Sequence, residues 1–336
     1  MQFKILFTFT LIFFISNSAL AKAPQYHFLR EIPIEHKEGG WDYLNIDEFS
    51  RRLYMSQKSR VVVVDIDQNK VIGEIKDTPG VHGFAFAPEL NLGFSSNGKD
   101  STLSKVDLKT FKTLLKITTG ENPDAILYNP TKQEVYTFNG LGKSASVIDV
   151  KTGKIITISL PGKPEFAGFD SKKNKVFVNI EDKNLLIVID SNSHKILNEW
   201  PLTDCKEPTG MAIDHKNHHL FSACRNQLIL MLDMNSGKIL ARAPIGKAVD
   251  AVSFDPSMNL VFTSNGDGTV SILQSSKKLE LIQTLKTELG ARTMALDLKT
   301  HQIFLPSARF EKATNQSTSK RPQIIPGTLK LLVYGI

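Results

Sequence analysis

Seven positions carry side chains that could do chemistry together: Asp42, His82, Asp124, Glu165, Thr209, Asp250 and Arg292. Successive members are 40, 42, 41, 44, 41 and 42 residues apart. Six of the seven are ionisable, whereas Asp, Glu, Lys, Arg and His make up about a quarter of the chain, so chance would supply fewer than two. Asn97, Asn139 and Asn265, each followed by glycine, recur in the same frame, and Asn179 falls one residue earlier in its own unit. Brought to one place, four carboxylates, an imidazole, a guanidinium and several amides form the kind of convergence that marks a binding site. Two chemistries are open to it. It could bind a small polar ligand, a metal ion or a peptide segment without reaction. It could instead hold Ca²⁺ or Mg²⁺ through oxygen ligands and act as a hydrolase or lyase of the lactonase kind, with His82 as acid or base. The metal candidates are Asp42, Asp124, Glu165 and Asp250. The plainer alternative is a wet channel lining whose charges neutralise one another.

The elements that must position these residues can be read from the unit spanning residues 250–287. Four short β-rich runs, Ala251–Phe254, Leu260–Ser264, Thr269–Leu273 and Leu279–Leu285, are separated by turn residues. The Asn265-Gly266-Asp267-Gly268 turn is a strong hairpin signal, because both glycines accept positive φ. One such sheet cannot bury both faces, so copies must stack. The copies are anchored at Asp47, Ala87, Asn129, Asp170, Asp214, Asp255 and Asp297, each five residues after a member of the ring. Seven residues after each anchor stands an aromatic: Tyr54, Phe94, Tyr136, Phe177, Phe221, Phe262 and Phe304. A period near 40 with four strands per unit predicts an all-β, seven-bladed β-propeller of four-stranded antiparallel blades. The ring residues then enter the innermost strand of each blade and crowd one mouth of the central channel. Most third strands end in Asp (Asp65, Asp107, Asp149, Asp190, Asp233), which reads as turn capping rather than catalysis.

Residues 22–336 are read as one propeller domain. Residues 1–21 are read as a secretory signal peptide, from the apolar run Ile5–Ile15 and the small-residue site Ala19-Leu20-Ala21. No later stretch is long and apolar enough to cross a membrane as a helix, and a periplasmic or secreted monomer is expected. The final unit lacks a fourth strand, and Gln25–Ile34 precedes the first complete unit. The expectation is that this N-terminal segment completes the last blade and closes the ring. Cys205 lies in the loop entering the fifth blade and Cys224 ends that blade's second strand, on one face of a propeller, and in an oxidising compartment they are expected to pair. The long polar insertion Phe310–Gly327 reads either as a lid over the channel or as a solvated loop.

The formal net charge is +7, and cleavage would remove only Lys4 among the charged residues, leaving about +6. The basic residues are spread along the chain rather than stacked on one element, so binding to a polyanion or single-stranded DNA is a weaker third reading. No G-x-S-x-G elbow, H-E-x-x-H pair or phosphate loop is present. The case for an enzyme rests on the polar funnel alone.

Laid out by repeat, the whole stretch after residue 21 resembles the YncE-like, YVTN-repeat family of exported seven-bladed propellers, a WD40-like architecture. The landmarks are Gly39-Gly40-Trp41-Asp42-Tyr43-Leu44, Thr78-Pro79-Gly80-Val81-His82-Gly83, Asn122-Pro123-Asp124-Ala125, Lys163-Pro164-Glu165-Phe166-Ala167, Glu207-Pro208-Thr209-Gly210, Ser264-Asn265-Gly266-Asp267-Gly268-Thr269, Gly290-Ala291-Arg292-Thr293 and Pro326-Gly327-Thr328. The tetrad itself is degenerate, as in Val176-Phe177-Val178-Asn179. The resemblance implies the propeller fold and a periplasmic binding or interaction role, with DNA binding proposed for some relatives. It assigns no catalytic residue.

Overall fold

A computed structural model describes residues 24–35, 39–311 and 323–336. Seven four-stranded antiparallel sheets form a ring. In blade 1 the strands are Trp41–Asp47, Arg52–Gln57, Arg60–Asp65 and Lys70–Ile75, and they pair in chain order. Blades 2 to 6 repeat this order behind inner strands Val81–Ala87, Pro123–Asn129, Pro164–Asp170, Pro208–Asp214 and Val249–Asp255. Blade 7 has the inner strand Ala295–Asp297, then Gln302–Ser307 and Lys330–Gly335, and its outer strand is His27–Pro33 from the N-terminal segment. The ring is therefore closed by pairing the first strand of the chain with the last, from His27 opposite Gly335 to Pro33 opposite Lys330. The expected signal peptide lies outside the described residues. No helix among the described residues is long and apolar enough to cross a membrane.

The recurring sequence marks have distinct physical jobs. All seven register aromatics are at most 2 % exposed. They pack between sheets; the Tyr54 ring of blade 1 stacks on Phe84 of blade 2, with centroids 4.8 Å apart. Six anchors cap the turn that follows the inner strand. Asp47, for example, accepts from the N–H groups of Phe49 and Ser50, and Asn129 from those of Thr131 and Lys132. The remaining anchor, Ala87, has no such side chain, and a short 3₁₀ turn at Pro88–Leu90 takes over there. The third-strand aspartates cap their own turns in the same way, as Asp149 does for Lys151 and Thr152. In the Asn265–Gly268 turn only Gly268 uses the left-handed region, with φ of +84°.

Cys205 and Cys224 form a disulfide, with Cα atoms 5.4 Å apart. It ties the loop entering blade 5 to the end of that blade's second strand, and both cysteines are buried. Mass spectrometry of the oxidised chain should find no free thiol. Replacing both residues by serine should cost about 2–4 kcal/mol, because the cross-link closes a loop of 19 residues. An unchanged melting temperature in that variant would remove the bond from any account of stability. Residues 312–322 of the expected lid lie outside the described residues. The base of the insertion is a short antiparallel ladder, with Glu311 N–H donating to the Gln323 carbonyl and Ile325 N–H to that of Arg309.

Candidate functional site at the channel mouth

The ring residues reach the mouth through a repeated irregularity in the inner strand. In blade 1, Trp41 pairs with Gln57 and Leu44 with Met55, so Asp42 and Tyr43 together face a single residue. The same two-against-one bulge holds His82 with Gly83, Asp124 with Ala125, Glu165 with Phe166, and Thr209 with Gly210. In blade 6 the register also shifts, at Asp250. A bulge bends the strand and re-aims its side chains. It also frees ring backbone carbonyls from the ladder, and neighbouring blades capture them. Ser96 donates to the Asp124 carbonyl at 2.5 Å, Asn179 to that of Thr209 at 2.7 Å, Ser264 to that of Arg292 at 2.5 Å, and Thr293 to that of Asp42 at 2.9 Å. The backbone at Asp42, Asp124, Thr209 and Arg292 is thus held by two blades.

The charges sort into local pairs. Asp250 takes Nε of Arg292 at 2.6 Å. Glu165 takes Nζ of Lys163 at 3.1 Å, and Lys163 also contacts Glu181, which lies 3.5 Å from Arg225. Nδ1 of His82 sits 2.6 Å from Oδ2 of Asp42 and 3.6 Å from Oδ1 of Asp124. Asp124 must therefore share its nearest cationic neighbour with Asp42, while Lys163 acts on it from farther away. The floor is aromatic: Tyr43 of blade 1 and Phe166 of blade 4 meet edge-to-face at 5.2 Å across the axis. The two rings line a cavity of about 320 Å³ together with Ile126, Phe254, Leu296 and polar residues such as Asn45 and Glu48.

Burial and crowding show in the titrations. Burial lifts Asp124 to about 7, with the Asp42 charge adding to it and His82 opposing. Burial and the Asp124 charge lift Glu165 to about 8 against the pull of Lys163. Asp250 is also raised by burial, although Arg292 opposes. For His82, burial pushes the imidazole down, but the hydrogen bond to Asp42 and the charges of Asp124, Asp42 and Glu165 carry it up to about 9. The Tyr43 hydroxyl is held well above its usual range by burial and by the charges of Glu165, Asp250, Asp124 and Asp42.

The structure thus brings Asp42, His82, Asp124, Glu165, Asp250 and Arg292 to one mouth. It does not bring the amides there. Asn97 is fully buried, accepts from Ser95 and donates to Thr102 and Ser104 on the next strand. Asn139 does the same with Thr137, Ser144 and Ser146, and Asn265 with Thr263, Thr269 and Ser271. The expectation that these amides face the funnel is corrected: they stitch strand 2 to strand 3. Asn179 accepts from Ser222, besides holding the Thr209 carbonyl, and joins blade 4 to blade 5. Thr209 is buried and donates to the Val249 carbonyl at 3.3 Å, so it seals the seam between blades 5 and 6. Sequence reasoning missed Tyr43, Lys163 and Arg225 as members of the site. Tyr43 and Lys163 stand one residue after and two before a ring member, a signal that was available.

No protein-family model matches the chain. Among curated proteins it is 24 % identical over 209 residues to the "Uncharacterized protein YncE" of Salmonella typhimurium, covering 60 % of this chain and 58 % of that protein. It is 26 % identical over 148 residues to the protein of the same name from Salmonella typhi, covering 42 % of each. The chain thus matches about half the length of these relatives. Among solved structures it is similar to hydrazine synthase of Kuenenia stuttgartiensis, with a TM-score of 0.71 at 14 % identity over 81 % of this chain and 94 % of that one. It is equally similar in shape to U3-55K, with a TM-score of 0.74 at 9 % identity over 90 % and 97 % of the two chains. Likeness at such identities shows the fold alone. With the repeat register and the closed ring of seven blades in agreement, the chain is a seven-bladed β-propeller similar in sequence to the YncE proteins.

Proposed function

We propose that this propeller is a non-catalytic binding protein of an oxidising, extracytoplasmic compartment, and that its channel mouth takes a small polar ligand, metal ion or peptide segment presenting positive charge. One observation carries the reading. Five carboxylates, Asp42, Asp124, Glu165, Asp250 and Glu181, converge on three permanent cations and one imidazole, and Asp124 has no cation of its own. Buried carboxylates without full compensation cost stability, and an entering cation relieves that cost. The disulfide supports the compartment. The acidic excess makes the mouth a poor seat for a polyanion, so any DNA binding belongs to another surface.

Agmatine, which carries a guanidinium and an ammonium, is a suitable probe for calorimetric titration. The expected result is saturable one-to-one binding to the wild type, weakened at least about tenfold in Asp124→Asn. Because Asp124 is buried and shares its nearest cation with Asp42, the same variant should melt at or slightly above the wild-type temperature. A variant that unfolds would make Asp124 structural. Asp250→Asn is a poorer test, since it strands the Arg292 guanidinium.

A further inference from the structure

We infer that Asp42, His82 and Asp124 form a divalent transition-metal site, of the Zn²⁺ or Mn²⁺ class, built across three adjacent blades; this deepens the mouth-binding reading and rests on it. The three donor atoms, one from each residue, lie within 4.8 Å of one another. A metal bound about 2.0–2.2 Å from each would set them roughly 3–3.5 Å apart. The 3.6 Å between His82 Nδ1 and Asp124 Oδ1 already matches this, and the 2.6 Å to Asp42 Oδ2 needs only a small opening.

The orientation of these donors is fixed from behind. Gly98 leaves room for the His82 ring: a Cβ on that residue would lie 2.6 Å from Nε2. The back edge of the imidazole is therefore pressed against the neighbouring loop, and Nδ1 points at the two carboxylates. The carbonyls of Asp42 and Asp124 are held by Thr293 and Ser96. Such outer contacts pre-set the ligands of metal sites.

The donor set selects the metal. Two carboxylate oxygens and one imidazole nitrogen suit Zn²⁺, Mn²⁺, Co²⁺ or Fe²⁺. Ca²⁺ wants six to eight oxygens, and three donors with one nitrogen supply too few. The structure-based expectation thus moves from Ca²⁺ or Mg²⁺ to a borderline metal with positions left open for water or ligand.

The test uses untagged full chain, stripped with chelator and dialysed separately against Zn²⁺, Co²⁺ and Ca²⁺. The expected result is one equivalent of Zn²⁺ or Co²⁺, visible d–d absorption from bound Co²⁺, and no Ca²⁺ at the same free concentration. His82→Gln and Asp124→Asn should each weaken Zn²⁺ binding by about 100-fold or more. His301→Gln, whose imidazole pairs with Asp255 at the end of the inner strand away from the ring, should not. If a mouth variant fails to fold, the Co²⁺ form of the wild type still decides, through a paramagnetically shifted resonance from a single imidazole ligand. Sub-stoichiometric metal, or binding indifferent to His82→Gln and Asp124→Asn, overturns the site. Agmatine bound where the metals fail leaves the mouth-binding reading standing without the metal; failure of both sinks both.

Discussion

Removing residues 25–34 should abolish the cooperative melt of the whole propeller. The segment supplies the outer strand of blade 7 and pairs along the length of Lys330–Gly335. It is also part of the core. Tyr26, Ile32 and Ile34 are at most 3 % exposed, and the Tyr26 ring meets Phe262 of blade 6 edge-to-face at 5.1 Å. Burying each of three such side chains contributes about 1.5–3 kcal/mol. Their loss therefore approaches the 5–15 kcal/mol that a whole domain commonly has. The truncation also leaves the backbone groups of the last strand as an open edge, which invites pairing between molecules. The expected outcome in calorimetry is a weak, broad transition at lower temperature, with aggregation. Ile32→Asp, which puts a charge in the same place without shortening the chain, should move the melt in the same direction. A truncated chain that melts sharply at the wild-type temperature would show that the seven-bladed ring does not depend on its first strand.

That closing strand was legible in the sequence because two defects cancelled: a surplus strand before the first unit and a missing one in the last. The blades were legible for a similar reason. A buried aromatic at a fixed distance from a turn-capping Asp or Asn ties side-chain chemistry to backbone geometry in six of the seven repeats, so period and structure coincide. The mouth was only half legible. A period places Asp124 and Glu165 at the start of an inner strand, but only the bulge decides that they turn into the funnel, and bulges follow from ladder register. The amides went wrong for the same reason. Asn97 and Asn139 are each followed at five and seven residues by hydroxyls, and Asn265 at four and six. Those hydroxyls sit across the hairpin, and an amide that can reach two of them at about 3 Å is consumed there. Period alone ranks an amide and a carboxylate equally; cross-strand partners separate them.

Arg51→Met should be the most damaging single substitution at the seam between blades 7 and 1, on the face opposite the mouth. Arg51 lies in the first turn of blade 1 and reaches back to blade 7, where both terminal nitrogens bond the Asp297 carboxylate at 2.6 Å. It also contacts Asp67 at 3.0 Å and Glu48 at 3.2 Å, and Glu48 in turn accepts from the Leu298 N–H. The Asp297 side chain is 1 % exposed, so methionine would leave a buried carboxylate without its cation. Breaking such a pair from one side costs about 3–5 kcal/mol, because the stranded charge is the larger part of the penalty. In a domain of this size that corresponds to a fall in melting temperature of roughly 5–8 °C. The pH dependence has a definite sign. Burial pushes the Asp297 carboxyl up, but Arg51, the Thr300 hydroxyl and the Lys299 N–H together hold it at about 2. An aspartate in an unfolded chain titrates near 3.9, so this depressed group stabilises the fold fully above that value. The contribution fades as pH falls from about 4 towards 2. In Arg51→Met the carboxyl loses its main partner, so protonation relieves the variant while it costs the wild type. The gap between the two melting temperatures should therefore be widest near pH 7 and shrink by pH 3. Adding Asp297→Asn to Arg51→Met should recover part of the loss at pH 7, since the stranded charge is gone. A single variant that melts within a degree of the wild type at pH 7, or a gap that stays constant down to pH 3, would show that the seam is held by packing rather than by this ion pair.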